Sequence, residues 1–162
     1  MKNLKRIMMV LGALLTISIF NCAAQKPSDA QTTFDQILKK YEKIEGVTCM
    51  SVTKGSGLEM VKMMFNKEFG KDFMKGVTIL SFIEYSDASE DICTALHNDL
   101  DAFISLLEEI DLSKEKQFSD NKFLRCFATA CDEETLSDFV VAIEDEDSKM
   151  LMYMGGKIKA DW

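Results

Sequence analysis

The segment from Ile92 to Ile110 constrains this chain more than any other. Ile92, Leu96, Leu100, Phe103, Leu107 and Ile110 step by four, four, three, four and three residues. That rhythm keeps apolar side chains on one stripe of an α-helix. Glu90, Asp91, Asn98, Asp99, Asp101, Glu108 and Glu109 lie largely on the other side. The spacing predicts a long amphipathic helix with its N-cap near Asp87 or Ser89, its Leu/Phe stripe buried and Asp99, Asp101 and Glu108 in water. Such a helix needs an apolar surface to lie on. The downstream sequence supplies one, because past the polar stretch 113–121 the period changes to two. Phe123 to Thr129, Phe139 to Ile143 and Met150 to Met154 read as three strands joined by acidic turns.

Upstream, the pattern alternates between types. Ser28 followed by Gln31 resembles a capping box, and Phe34, Ile37, Leu38, Tyr41 and Ile44 recur at helical spacing up to Gly46, placed as a C-terminal cap. Val47 to Thr53 is short and β-branched, a strand. Lys54 to Gly57 turns the chain into a second helix through Leu58, Val61, Met64 or Phe65 and Phe69, closed by Gly70. Gly76 opens a strand, Val77 to Tyr85, with apolar residues at both parities, as in a central strand. The order α-β-α-β-α-β-β-β implies an α+β domain: a mixed sheet of about five strands with helices mainly on one face. Its β-α-β start would supply a parallel pair and its last three strands an antiparallel meander. A decorated ferredoxin-like arrangement is the runner-up, disfavoured by the consecutive strands at the end.

Residues 1–24 read as address rather than fold. Lys2, Lys5 and Arg6 precede Ile7 to Phe20, a 14-residue run without charge. That suits the apolar region of a signal peptide and is short of the roughly 20 residues of a membrane-spanning helix. Residues 25–162 then form the single mature domain, with no transmembrane span. Cleavage after Ala24, with Cys22 and Ala24 as the small pair, fits better than cleavage before Cys22 with a lipid anchor on that thiol. The latter route would place bulky Phe20 and Asn21 where small residues belong. The expected location is outside the cytoplasm, in the periplasm or associated with the envelope.

Charge and composition exclude several classes. With 27 acidic against 19 basic residues the chain carries −8, and loss of residues 1–24 takes it to −11. A nucleic-acid partner is excluded, since tracking phosphates needs a basic face. One histidine, His97, and one proline, Pro27, leave no material for a histidine-rich metal centre or a proline-rich ligand motif.

The exported N-terminus, the Leu58 to Phe69 helix after a short strand, and the apolar strand Val77 to Tyr85 together resemble a bacterial envelope family, domain of unknown function 4252. The late strand Phe139 to Ile143, followed by Met152-Tyr153-Met154-Gly155-Gly156-Lys157-Ile158, adds to the likeness. The resemblance implies a small exported or lipid-anchored protein with no assigned activity, and it carries over no catalytic or binding residue. The weak acylation signal at Cys22 departs from the lipid-anchored members.

Several constellations could carry chemistry. Cys93 and His97 stand four apart on the long helix and share a face, as a metal pair or an imidazole-activated thiolate would. Cys126 and Cys131 would have to complete a zinc site. Five residues apart near one strand, they point to opposite faces and lie roughly 16 Å apart at strand rise, beyond the ~7 Å limit for a disulfide. Buried thiols acting as small hydrophobes are the plainer reading. The four mature cysteines, Cys49, Cys93, Cys126 and Cys131, permit two disulfides in three connectivities, and free thiols are equally compatible.

Acidic residues gather between Asp132 and Asp147. A Ca²⁺ site at Glu144 to Ser148 would lack the glycine and the ligand spacing of an EF-hand, so a solvated turn fits better. Met60, Met63 and Met64 with Met150, Met152 and Met154 could line a binding surface or a soft-metal site, although the alternation of the last three suits one face of a core strand. Gly55-Ser56-Gly57 lacks the remaining glycines and the lysine of a phosphate loop. No residue is therefore singled out as catalytic, cofactor-binding or metal-ligating. The expectation is a non-catalytic envelope module whose partner is a protein or a small molecule. The alternative is a thiol- or metal-handling, or carboxylate-using, envelope enzyme.

Overall fold

A computed structural model describes residues 28–53, 55–69, 74–110, 124–132, 135–145 and 148–159, with the backbone alone at 64–69, 130–132 and 159. Segment 1–24, expected to be a signal peptide, lies outside the described residues together with Cys22. The elements run α1 (Asp29–Tyr41), β1 (Thr48–Thr53), α2 (Ser56–Phe69), β2 (Val77–Glu84), α3 (Glu90–Ile104), β3 (Glu108–Ile110), β4 (Leu124–Asp132), β5 (Thr135–Glu144), β6 (Lys149–Gly156) and β7 (Ile158–Lys159). This is an α+β fold. No helix among the described residues is long and apolar enough to cross a membrane.

The strands form one sheet in the order β1-β2-β6-β5-β4-β3, with β7 added to β5. Every pairing is antiparallel. The expected sheet of about five strands, mixed in direction, is corrected on both counts. Apolar content at both parities marks β2 as central but carries no information about direction. The start of β2 is fixed beside the end of β6: a Cβ on Gly76 would sit 1.5 Å from the Lys157 carbonyl oxygen, and one on Gly156 would sit 2.2 Å from that of Gly76. Sequence-distant β2 and β6 are therefore neighbours inside the sheet, and the passage through α2 returns the chain to lay β2 antiparallel on β1.

The helix over Ile92 to Ile110 is also shorter than its period implies. Leu96, Leu100 and Phe103 are buried as expected, but α3 ends at Ile104. Ser105 Oγ donates to the Ala102 carbonyl at 2.7 Å, and the Leu106 and Leu107 amides bond three residues back, tightening the last turn. Glu108–Ile110 then leaves the helix to pair with β4. Asp99 does not simply face water. It accepts from Lys40 Nζ at 2.6 Å and from the Tyr41 hydroxyl at 2.8 Å, which ties α3 to α1.

At α1 the capping reading holds, since Ser28 Oγ accepts from the Gln31 amide at 3.0 Å. Gly46 is not the immediate cap. It lies five residues past the helix at φ +78°, where a Cβ would fall 2.4 Å from the Asp87 carbonyl oxygen. Its missing side chain lets the α1–β1 turn sit against the approach to α3.

Both faces of the sheet are buried, and side-chain parity assigns each layer. Ile79, Ile83, Leu151, Tyr153, Phe127 and Val140 meet α1 and α3, where Phe34, Phe103 and Tyr153 stack with ring centroids 5.1 to 6.3 Å apart. Leu80, Phe82, Val141, Met150, Met152 and Met154 form the opposite layer, reached by Leu58 and Val61 of α2. Two helices thus lie on one face and the third on the other.

Candidate functional site

Helix α3 begins where the chain leaves β2, and its first two turns face the end of the β5–β6 hairpin. Between them runs a groove of about 590 Å³, lined by Tyr85 and Ser86 after β2, Glu90, Cys93 and His97 on α3, and Glu144 and Lys149 at the hairpin end, among others. Backbone pairing holds the walls in place. The Tyr85 amide bonds to the Lys149 carbonyl at 3.0 Å, and the Lys149 amide bonds to Ser86 Oγ at 2.9 Å.

Cys93 and His97 do share this groove, and their side chains are directed at different partners. The Cys93 thiol is directed at two backbone carbonyls, Ala88 at 3.5 Å and Tyr85 at 3.6 Å. A thiol used as a donor retains its proton, whereas a nucleophile or metal ligand must lose it. The imidazole turns to carboxylates instead. Nε2 lies 3.4 Å from Asp101 Oδ2 and Nδ1 lies 4.0 Å from Glu144 Oε1. Because these carboxylates flank opposite ring nitrogens, they do not converge on one coordination point. Among the described residues no three His, Cys, Asp or Glu side chains are grouped to hold a metal ion. Asp101, four residues after His97, could have been read from helical spacing. Glu144, 47 residues away, could not.

The remaining thiols stand apart. Cys49, Cys93 and Cys126 are free. Burial, helped by the Glu42 charge, pushes the Cys49 thiol up to about 11. Burial, with Glu109 adding, takes Cys126 up to about 12. Cys131 belongs to β4, with its side chain outside the described residues. The methionines divide likewise: Met150, Met152 and Met154 line the core on one face of β6, while Met60 and Met63 are exposed on α2. The Met64 side chain lies outside the described residues. The Glu144 to Ser148 segment is a hairpin turn in which the Asp145 amide bonds to the Ser148 carbonyl at 2.8 Å, with Glu146 and Asp147 outside the described residues.

One member of the acidic stretch departs from the solvated reading. Asp138 is only 6 % exposed. It sits in β5 at φ +50°, where Asp138 and Phe139 together face Ala128 across a β-bulge. The Ser28 and Tyr153 hydroxyls each donate to its Oδ1 at 2.6 Å, and the Ser137 hydroxyl donates to Oδ2 at 3.3 Å. Burial first, and then this bond to Asp138, hold the Tyr153 phenol far above its ordinary range. Ser28 is also the cap of α1, so one carboxylate joins a helix start to two strands. Sequence reading had only the high acidity of the segment to go on, which says nothing of burial.

Comparison with protein-family models, curated proteins and solved structures gives no match to this chain.

Proposed function

We propose that this chain is an exported bacterial envelope protein, related to the domain of unknown function 4252 group, that acts by binding rather than by catalysis. Its ligand occupies the groove between α3 and the β5–β6 hairpin. The observation that carries this reading is the groove itself: about 590 Å³, within the range of roughly 300–1,000 Å³ usual for small-molecule sites, with polar groups arriving from three parts of the fold. The Cys93 thiol, occupied as a donor to carbonyls, supports binding over thiol chemistry.

Two measurements test the reading. Intact mass of the protein recovered from its native host should give a mature chain beginning at Gln25. Acyl chains on Cys22 would shift the processing route to the lipid-anchored one, and a cytoplasmic species retaining Met1 would refute export. A panel of small polar compounds, titrated into residues 25–162 and followed by NMR, should move the His97 ring and Lys149 amide resonances together. His97→Ala and Lys149→Ala should weaken that binding. A panel that leaves both resonances of the parent still, or a compound whose affinity is unchanged in both variants, removes the groove as the site.

A further inference from the structure

The two edges of the sheet are built differently. At one edge β3 is three residues long and carries exposed Glu108 and Glu109. Short length and outward charge are the devices by which a sheet refuses a further strand. At the other edge β1 does the opposite. Thr48–Thr53 runs six residues, contains no charge and no proline, and pairs with β2 in unbroken register. Among the described residues β2 is its only strand partner.

A second observation falls at the same edge. Three large hydrophobic side chains are exposed among the described residues, and two of them, Met60 at 45 % and Met63 at 71 %, belong to α2. Helix α2 lies over β1, and a Cβ on Gly57 would touch Val52 Cγ1 at 3.3 Å, so the Gly57 side of the helix looks onto the edge strand. At 100° per residue Met60 lies about 60° from Gly57 around the helix, and Met63 about 60° further round. The open edge and an exposed apolar pair are thus neighbours.

From these two features we infer that the β1 edge is a self-association surface, and that its occupant is a second copy of this chain. A two-fold axis normal to the sheet lays β1 antiparallel to its copy, and side chains facing each other across such a pair share a face. Same-parity register sets Ser51 opposite Ser51 of the second copy, Cys49 opposite Thr53 and Met50 opposite Val52. The half-buried apolar Met50 and Val52 then cover one another, and the same axis brings the two α2 helices side by side on one face. Charge opposes this occupant least at this place. In a chain of net −8 two copies repel over most of their surface, whereas β1 presents no charge, and on α2 Glu59 is already paired with Lys62 at 3.1 Å. The surface is separate from the groove and does not depend on the reading of it.

Sedimentation equilibrium of residues 25–162 over a range of concentrations should show reversible dimerisation. Met60→Lys/Met63→Lys, a change confined to exposed positions, should raise the dissociation constant about tenfold or more, the scale of one lost interface contact. Its unfolding midpoint should match the parent's at concentrations where both are monomeric. Register is tested by Ser51→Cys in a Cys49→Ser background. Facing residues in an antiparallel pair lie about 4.5–5.5 Å apart at Cα, within disulfide reach, so mild oxidation should give a covalent dimer on a non-reducing gel. Asp91→Cys, exposed on α3, in the same background should not. Monomer at every concentration overturns the inference, as does a dimer that survives the methionine change and fails to cross-link through position 51. A monomer that instead takes up an added peptide of sequence TCMSVT would show an edge open to other strands and would equally overturn a second copy as its occupant.

Discussion

Asp138 holds more of this fold together than any other polar residue described. A carboxylate removed from water stays there only when its oxygens are satisfied, and three hydroxyls do this for Asp138. Its left-handed backbone is a conformation that Asp and Asn tolerate and Ala does not. Asp138→Ala therefore adds strain to the loss of the acceptor for three hydroxyls and should cost about 2–4 kcal/mol. Tyr153→Phe removes one donor and leaves the carboxylate two others, so about 1–2 kcal/mol is expected. Denaturant unfolding of both variants checks the order; Tyr153→Phe proving the costlier would mean that the phenol hydroxyl, and not the carboxylate, anchors the cluster. The thiols give a second residue-level expectation. With Cys49 raised to about 11 and Cys126 to about 12, both are protonated and unreactive at pH 8. Iodoacetamide should label them only after unfolding, as mass spectrometry of the digested chain would show.

At the scale of elements, α3 is where the sequence speaks most clearly and then stops short. Leu96, Leu100 and Phe103 were legible because four-and-three spacing has no other use in water-soluble structure. Leu100→Ala should cost about 2–5 kcal/mol through lost transfer energy and a cavity, while Asp101→Ala should change stability by no more than about 0.5 kcal/mol. Chemical unfolding of the two reports which face is buried. The end of the helix was not legible, because Leu107 and Ile110 continue the period and only the distant β4 calls Glu108–Ile110 away. The same limit applies to Asp99, whose partners are on α1. Its hydrogen bond from Lys40, with that from Tyr41, holds its carboxyl below the ordinary range. A depressed folded value means that the stabilisation is present above the unfolded value near 4 and is lost as pH falls through the folded one. Lys40 is raised by the same bond, so its share is present below about 10.5 and is lost at higher pH. Asp99→Asn should accordingly flatten the fall in stability below pH 4, and should flatten the alkaline limb too. Unfolding midpoints across pH 2.5–11 test it; a variant that tracks the parent at both ends would leave the bridge without energetic weight.

For the whole molecule, fold class and the closing meander could be read from period alone, while strand direction, the β2–β6 junction and the face taken by α2 could not. The groove was half legible. Helical spacing placed Cys93 and His97 together, yet the hairpin end that supplies Glu144 and Lys149 arrives through sheet order, which no local pattern encodes. That order also dictates when the molecule can exist. β6, which begins at Lys149, joins β2, complete at Glu84, to β5 in the interior of the sheet. During vectorial synthesis β2 emerges with one side unpaired, and the long loop to β6 must close before that contact repays it. Completion of the sheet is thereby deferred until β6 has appeared, which leaves the earlier strands without that partner until then. A fragment ending at residue 148 should accordingly show no cooperative unfolding, and one ending at residue 159 should recover it; circular dichroism through a denaturant series would separate the two.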